Sequence, residues 1–350
     1  MKVKLLFILL IFTAFTSLTP VTESYPQTDE EEYETTETKR QFNIIDVHEH
    51  IRSYPVVEKY WPARKKHNIK GMVLVGSPKE TLGLMINSKH KWFTKPDINN
   101  KVVLKLARDY PGEFYPFVTF SPDDEDQVEK LKSFVKEGAM GVKLYNGHSN
   151  FYEKMEIPLT APHLMKLYAH CEKNEIPMIF HVNLNKYWDE FIEVLDAHPK
   201  LKVNIPHYGL LLRKLSKVEH ILKTYPNTYF DVSFGHFYFA YIGMKRISRM
   251  SKRMRRFVKK YQNRFLFGVD IVLTNNPEKS KEYVTEMIQA YRNVLEKKRY
   301  TSTIIDQYFS FIRKKKTRKN GWLKGLNLDD ETLRMIYEEN PKRFIGLKEE

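Results

Sequence analysis

The sequence contains a single cysteine, Cys171, in 350 residues. A disulfide framework within the chain and a cysteine-rich zinc ribbon are therefore excluded, because each needs several cysteines. Long apolar runs are also scarce. Only one stretch, at the N-terminus, approaches the hydrophobicity of a membrane span, which excludes a protein with several spans. With 42% hydrophobic and 13% aromatic residues the chain is too apolar to be disordered throughout, and we expect a folded core.

The first 21 residues have the pattern of an export signal. Lys2 and Lys4 lead into an unbroken apolar run at 5–12, which is too short to span a bilayer but suits the apolar region of a signal peptide. No clear small-x-small cleavage site follows it, so residues 1–21 are predicted to be either a signal peptide or an uncleaved signal anchor. The protein would then be secreted, periplasmic or anchored to the membrane.

Positive charge is concentrated in the part of the chain that we expect to fold. Residues 22–41 are rich in Glu and Thr and poor in aliphatic residues, which predicts a disordered acidic linker. The whole chain carries a net charge of +15 and residues 1–40 carry −3, so residues 41–350 carry +18.

The densest basic runs are residues 245–264, with ten Lys or Arg and no acid, and residues 313–319, with six of seven. In the first run Met250, Met254 and Val258 recur at helical spacing, which predicts a helix with one packed face. A solvated basic surface is the default interpretation, and electrostatic association with an anionic envelope surface is the alternative. Nucleic acid is not expected as a partner, because no recognisable binding module accompanies the charge.

After residue 42, eight short β-branched and aromatic runs alternate with longer amphipathic segments. Near-continuous apolar runs are typical of parallel strands that are buried on both faces. We therefore predict an α/β fold, a closed (β/α)8 TIM barrel over residues 42–350. An open doubly wound sheet is the alternative, but no GxGxxG or GxxxxGK[ST] turn follows the first run. The runs are 43–48, 71–76, 114–120, 141–145, 176–183, 202–209, 228–234 and 265–272.

Polar side chains stand at the ends of four of these runs. His48 and His50 are two residues apart on an extended segment, so both project from one face, toward the axis of a barrel. His181, His207 and Asp270 end the fifth, sixth and eighth runs. Burying four imidazoles and a carboxylate without partners would be costly, and a shared divalent metal removes much of that cost. One such His taken alone would be interpreted as a core residue with its own hydrogen bonds. For five such residues at strand ends, a shared metal site is the better interpretation.

Further polar residues lie at or just beyond the strand ends. Lys143, at the end of the fourth run, could be carboxylated by CO₂ and bridge two metals, bind a substrate carboxylate as an ammonium group, or pair with an acid. The unmodified lysine is the favoured form. Tyr145, Asn183, Tyr208 and His236 are candidates for substrate contacts.

The body of the chain resembles the amidohydrolase superfamily, specifically the amidohydrolase-related branch that contains aminocarboxymuconate semialdehyde decarboxylase and related lactone hydrolases. The resemblance extends over residues 43–347. The matching segments are Asp46-x-His48-x-His50, the strand of His181, and residues 106–120, 138–145, 198–209, 264–272 and 328–347. It implies that His48, His50, His181 and Asp270 bind one metal ion, most naturally zinc, and that His207 orients or protonates the reacting group.

One position departs from the pattern of the family. The eighth run reads FGVDIV, with Val269 and Ile271 on either side of Asp270, where members often have Ser before the Asp and Pro soon after it. The ligand is kept, but the hydrogen bonds that would support it are not evident from the sequence.

The resemblance implies hydrolysis of a small-molecule ester, lactone or amide by metal-activated water. Asp270 would accept the proton of that water and His207 would stabilise the oxyanion or assist in proton transfer. Nonoxidative decarboxylation, with the same ligands, is the first alternative. A non-catalytic secreted binding protein on a barrel scaffold is the second, and the complete set of ligands argues against it.

Overall fold

The computed structural model describes residues 41–82, 93–235, 237–302 and 322–348. The predicted signal segment 1–21 and all but the last residue of the predicted linker 22–41 lie outside these ranges, as do His236 and the basic run 313–319. Among the described helices, none combines the length and the apolar character that crossing a membrane requires.

Nine short parallel strands form the central sheet of the described residues, each next to its neighbour in the chain up to the eighth. The ninth lies beside the first. The strands are β1 (Ile44–Ile51), β2 (Ile69–Val75), β3 (Phe114–Thr119), β4 (Gly141–Gly147), β5 (Met178–Val182), β6 (Val203–Ile205), β7 (Thr228–Asp231), β8 (Phe265–Leu266) and β9 (Val272–Leu273). A further antiparallel pair, β10 (Arg299–Tyr300) and β11 (Leu323–Lys324), stands apart from this sheet.

The sheet closes into a ring through residues 265–273. The predicted eighth strand is interrupted: β8 pairs with β7, whereas β9 pairs with β1. Between them, Val47 N donates to Phe267 O at 2.9 Å and Asp270 N donates to His48 O at 2.7 Å. The interruption coincides with Asp270, whose φ of +62° places it in the left-handed region, where a regular ladder cannot continue. The predicted (β/α)8 barrel is confirmed, with a break at Asp270.

Helices follow most of the strands and cover the outside of the ring. They are α1 (Trp61–His67), α2 (Pro96–Asp109), α3 (Gln127–Lys136), α4 (Ser149–Met155), α5 (Pro162–Lys173), α6 (Trp188–Ala197), α7 (Leu215–Thr224), α8 (Phe237–Arg249), α9 (Ser251–Lys260), α10 (Lys281–Glu296), α11 (Asp330–Arg334) and α12 (Asn340–Ile345). A π-helical turn, Met335–Glu339, joins the last two. On α9 the predicted packing face is confirmed, since Met254 and Val258 are fully buried while most of the basic side chains are exposed.

A bulge in β1 places the site above an apolar floor. Asp46 pairs with Met72 and Glu49 with Leu74, so β1 holds one residue more than β2 over this stretch. Ile45 and Val47 of β1 belong to an inner apolar cluster within the barrel. The other members include Val73, Val75, Phe117, Ile179, Leu266 and Phe344. His48 and His50 therefore continue β1 from this floor toward the carboxyl ends of the strands.

Candidate metal centre and active site

His48, His50 and Asp270 bring three potential ligand atoms together at the carboxyl end of the barrel. One such atom from each residue lies within 4.8 Å of the other two. The Oδ1 atom of Asp270 is 2.9 Å from Nε2 of His50 and 3.6 Å from Nε2 of His48. All three residues are buried. Two imidazole nitrogens and a carboxylate oxygen are donors that suit zinc and other divalent metals, so these residues fit the metal that the sequence predicts.

Asp231 fixes the orientation of the His48 ring. Its Oδ2 atom lies 3.0 Å from Nδ1 of His48 and also accepts a hydrogen bond of 2.9 Å from Nδ2 of Asn204. Burial by itself would raise the pKa of Asp231, but the hydrogen bond with His48 holds it well below its usual value. Asp231 is therefore a carboxylate that accepts the Nδ1 proton, which leaves Nε2 of His48 with a lone pair, 2.7 Å from Nζ of Lys143 and 3.6 Å from Oδ1 of Asp270.

Two hydroxyl groups fix the orientation of the His50 ring. Nδ1 of His50 lies 2.8 Å from Oγ of Ser77 and 3.3 Å from the hydroxyl of Tyr145. These hydroxyls donate their own protons to backbone carbonyls, Ser77 to Val75 at 3.2 Å and Tyr145 to Gly76 at 3.0 Å. Both oxygens can therefore accept from Nδ1, so that Nε2 is left as the ligand atom. Burial lowers the pKa of His50 to about 4, which keeps the ring neutral and able to bind metal at pH 7.

His207 follows β6 and faces Oδ2 of Asp270, whereas His48 and His50 face Oδ1. Its φ of +59° is left-handed, a strained conformation of the kind that clusters at functional sites. Nδ1 of His207 lies 2.9 Å from Oγ of Ser233, whose hydroxyl donates to Oδ1 of Asp231 at 2.6 Å. Nε2 of His207 is consequently free to exchange a proton, and it lies 3.5 Å from Oδ2 of Asp270. Burial lowers the pKa of His207.

His181 stands next to this cluster, outside the three residues whose ligand atoms converge. Its ring centroid is 4.8 Å from that of His207 and 4.5 Å from that of His148. Burial lowers the pKa of His181 well below its usual value, so its ring is neutral. Its role as a metal ligand stays a prediction.

Lys143 contacts the side chain of His48, a predicted metal ligand. Its Nζ lies 2.7 Å from Nε2 of His48, and the residue is fully buried. Burial lowers the pKa of Lys143 to about 8. Lys143 is thus a neighbour of the ligands and is absent from the described wall of the cavity.

The remaining predicted substrate contacts fall into two groups. Tyr145 lines the cavity above the site. Asn183 and Tyr208 are not among the described residues of the cavity wall: Asn183 donates to Ser149 at 2.9 Å, and the ring of Tyr208 packs behind the wall near Phe234. His236 lies outside the described residues. Substrate roles for these residues stay predictions.

Several residues of the candidate site were not anticipated from the sequence. Asp231 lies within the seventh apolar run and is the last residue of β7, much as Asp270 lies within the eighth run, so the reasoning applied to Asp270 could have found it. His148 lies close beyond the fourth run and lines the cavity. Burial lowers its pKa to about 4. Ser77 and Ser233 carry no comparable signal, because small hydroxyl residues are common in loops.

The backbone beside Asp270 is supported by two acids of β1. Val269 N donates to Oδ1 of Asp46 at 3.3 Å, and Ile271 N donates to Oε2 of Glu49 at 3.2 Å. Val269 and Ile271, which depart from the family pattern, therefore support Asp270 through their backbone amides. These hydrogen bonds do not depend on the apolar side chains. Burial raises the pKa of Asp46 to about 7.

A cavity of about 420 Å³ opens above these residues. His50, His207 and Asp270 line it beside apolar side chains that include Phe151, Leu212, Phe234 and Ile242. Gly235 also borders it. A Cβ at Gly235 would lie 2.8 Å from Oδ2 of Asp270, and its φ is +69°, so only glycine fits this position without strain. The cavity suits a small molecule with a substantial apolar part.

A family model described as amidohydrolase matches residues 45–347. Among solved structures, the chain is similar to a probable 2-pyrone-4,6-dicarboxylic acid hydrolase from Acinetobacter baumannii, at 15% identity and a TM-score of 0.55 over 87% of this chain and 100% of that one. It is also similar to a 2,6-dihydroxybenzoate decarboxylase from Rhizobium, at 13% identity and a TM-score of 0.52 over 88% and 99%. A third is an amidohydrolase from Burkholderia multivorans with bound zinc, at 11% identity and a TM-score of 0.54 over 87% and 99%. No curated protein matches the sequence.

Proposed function

Because the chain belongs to the amidohydrolase family, as the resemblance implied and as the match over residues 45–347 shows, we propose that it hydrolyses an ester, lactone or amide with the help of one zinc ion. The observation that carries the proposal is the convergence of His48, His50 and His207 on Asp270. Both β1 imidazoles present Nε2 to one carboxylate oxygen, and His207 presents Nε2 to the other. A divalent metal held by His48, His50 and Asp270 would supply a Lewis acid that acidifies water and polarises a carbonyl.

The residues of the chain then divide the proton transfers. Water adds to the carbonyl carbon, and Asp270 accepts the proton that it loses. Nε2 of His207 carries a lone pair, because its Nδ1 proton is bonded to Ser233, so it can take that proton from Oδ2 of Asp270 across 3.5 Å. Protonated His207 would then donate to the leaving oxygen or nitrogen as the bond to the carbonyl carbon breaks.

Nonoxidative decarboxylation is the second candidate function. It is favoured by the similarity to the Rhizobium enzyme, a decarboxylase of a dihydroxybenzoate. The same three ligands would serve, and His207 would deliver a proton to the carbon that loses CO₂. Hydrolysis is preferred, because it needs a base that takes a proton from water and an acid that passes it on. Asp270 and His207, 3.5 Å apart, supply such a pair, whereas decarboxylation needs only the acid.

The test combines metal analysis with two parallel activity screens. The purified protein is analysed for bound metal, and metal-free protein is reconstituted with Zn²⁺. Lactones, esters and amides are screened for hydrolysis, and aromatic carboxylic acids are screened for release of CO₂. We expect about one zinc per chain and hydrolysis that is lost on metal removal and restored by zinc. His50→Ala should lose both metal and activity, whereas His220→Ala, at an exposed position on α7, should keep both.

Release of CO₂ without hydrolysis would replace the proposed function by decarboxylation. Unchanged metal content in His50→Ala would contradict the metal centre itself.

A further inference from the structure

Two large apolar side chains stay exposed at the wall of the cavity above Asp270. Five such side chains are exposed in the described part of the chain, and two of them, Leu210 and Phe239, line this cavity. Phe239 keeps 61% of its surface exposed and Leu210 keeps 41%. Single exposed residues of this kind are common, but two at the wall of one cavity extend its apolar lining outward to the solvent.

The backbone holds Leu210 at this wall in a strained conformation. All four residues 207–210 have φ between +52° and +61°. This left-handed region is uncommon for residues other than glycine and costs free energy when a leucine occupies it. Asn185 supports the turn by donating from Nδ2 to Leu210 O at 2.8 Å. The turn that sets His207 beside Asp270 therefore also sets Leu210 at the cavity wall, three residues further on.

One face of α8 forms the part of the wall that carries Phe239. The residues of α8 that line the cavity follow the i, i+3, i+4, i+7 spacing of a single helix face: Phe239, Ile242, Gly243 and Arg246. Gly243 lets this face approach Phe234, because a Cβ at Gly243 would lie 2.6 Å from the Phe234 ring. This part of the wall is therefore a packed helix face and not a loop.

Two charged side chains, Glu80 and Arg246, also belong to the cavity wall. Both carboxylate oxygens of Glu80 already accept hydrogen bonds, from N of Thr94 at 3.0 Å and from its Oγ1 at 2.8 Å. Arg246 lies on the same face of α8 as Phe239 but seven residues further along, which is about 10 Å along the helix axis. The apolar end of this helix face is therefore separate from its positive charge, and the two can be varied independently.

We propose that Leu210 and Phe239 form an apolar subsite that binds an extended alkyl or acyl chain of the substrate where the chain leaves the cavity. The reacting carbonyl lies over Asp270. Covering the two exposed side chains removes their apolar surface from water, which stabilises the complex in proportion to the area covered. The substrate class is thus a long-chain ester, lactone or amide. This inference rests on the proposed function for the nature of the reacting group, but the apolar subsite can be tested without turnover.

The test measures binding of alkylphosphonates of increasing length to the zinc-loaded protein by isothermal titration calorimetry. The probes are butyl-, hexyl-, octyl- and decylphosphonate, which share one metal-binding head group and have a C–P bond that a hydrolase of esters or amides does not cleave. We expect the affinity to rise about 2- to 4-fold for each methylene that lies against the apolar wall. A chain that stayed in water would add nothing to the affinity.

Phe239→Ala should lower the ratio of decylphosphonate affinity to butylphosphonate affinity about 10-fold, and Leu210→Ala should lower it about 3-fold, because phenylalanine offers more apolar surface. The affinity for butylphosphonate should change less than about 2-fold in both variants. Ile98→Ala is the matched control, because Ile98 is 56% exposed on α2 and is not among the described residues of the cavity wall. Arg246→Gln should change the affinity for every probe by the same factor and leave the ratio unchanged.

Thermal melts and bound zinc establish that each variant is folded. An affinity that does not rise with chain length, or a ratio that is kept in both Phe239→Ala and Leu210→Ala, would overturn the inference. The same variants are compared by sedimentation velocity and by flotation with phosphatidylcholine vesicles. If Phe239→Ala abolishes a dimer or vesicle binding and keeps the ratio, the exposed side chains serve a second copy of the chain or a membrane surface, and the inference is wrong.

The two proposals can fail separately. If no hydrolysis is found but the affinity ratio depends on Leu210 and Phe239, the apolar subsite stands and the reaction is wrong. If hydrolysis is found and the affinity does not depend on chain length, the reaction stands and the apolar subsite is wrong.

Discussion

Asp231 accepts a hydrogen bond from Nδ1 of His48 at 3.0 Å. Its second oxygen accepts at 2.6 Å from Ser233, the residue whose hydroxyl binds His207. One buried carboxylate on β7 therefore sets the tautomers of His48, the proposed metal ligand on β1, and of His207, the proposed proton-transfer residue after β6. Neither ring can rotate or change its protonated nitrogen without breaking a bond to this network.

Replacing Asp231 should disturb both imidazoles at once. Asp231 accepts at both oxygens, from His48 and Asn204 at Oδ2 and from His207 N and Ser233 at Oδ1. In Asp231→Asn the NH₂ group replaces one of the two oxygens, so in either orientation of the amide it faces hydrogen-bond donors and loses bonds that Asp231 accepted. We expect zinc affinity to fall about 10- to 100-fold, measured by competition with a chelator.

The control for this prediction is Asp196→Asn. Asp196 is exposed on α6, accepts from Tyr225, and has no described contact with His48, His50 or Asp270. Its zinc affinity should equal that of the wild type. Equal zinc affinities in Asp231→Asn and wild type would mean that Asp231 does not position His48.

Ser77 and Tyr145 should substitute for each other as acceptors for His50. Oγ of Ser77 is 2.8 Å from Nδ1 of His50, and the hydroxyl of Tyr145 is 3.3 Å from the same atom. Ser77→Ala or Tyr145→Phe alone should lower zinc affinity by only about 3-fold, whereas the double variant should lower it by more than the product of the two. Zinc affinity is the appropriate measurement, because Tyr145 also borders the cavity and its loss could change turnover by another route. Purely multiplicative effects would show that the two hydroxyls act independently.

Gly235→Ala should displace Asp270. The added methyl would lie 2.8 Å from Oδ2 of Asp270, and the left-handed φ of +69° adds a backbone cost of about 1 kcal/mol. We expect lower stability together with a loss of zinc affinity of about 10-fold or more. Gly346→Ala separates the two effects: its φ is +84°, but no heavy atom lies within 4 Å of the added methyl. That variant should lose stability and keep zinc affinity, and the same result for Gly235→Ala would refute the contact with Asp270.

The barrel and the convergence of the ligands could be predicted because both follow from local patterns. Apolar runs long enough to be buried on both faces imply parallel strands, and the carboxyl ends of such strands meet at one end of a barrel. That rule is sufficient to bring His48, His50, His207 and Asp270 together.

The interruption at Asp270 and the role of Asp231 depend on contacts that no local pattern encodes. The left-handed backbone at Asp270 is held by a hydrogen bond to His48 O, on a strand more than 200 residues away in sequence. Asp231 meets His48 across a separation of 183 residues. The contact between Lys143 and His48 is similarly remote in sequence, which is why the sequence left three interpretations of Lys143 open.

Acid should destabilise the fold through a histidine outside the site. His67, at the end of α1, is buried, and its Nε2 lies 3.0 Å from the carbonyl of Thr285 on α10. Its Nδ1 lies 3.4 Å from Nη1 of Arg292 and accepts from it. Burial, assisted by the positive charge of Arg292, lowers the pKa of His67 from 6.5 to about 4. The unfolded chain therefore binds a proton below pH 6.5 that the folded chain does not bind until about pH 4.

The free energy of unfolding should consequently fall as the pH drops from about 6.5 to about 4, and this contribution should level off below that range. In His67→Gln the side chain can still donate to Thr285 and accept from Arg292, but it does not titrate. Urea denaturation of metal-free protein at pH 7.5 and 4.5 should show a smaller loss in His67→Gln, by on the order of 2 kcal/mol, than in wild type. Comparing the change between the two pH values within each protein removes any constant effect of the substitution. An equal loss in both proteins would mean that His67 is already protonated in the folded state or remains accessible to solvent.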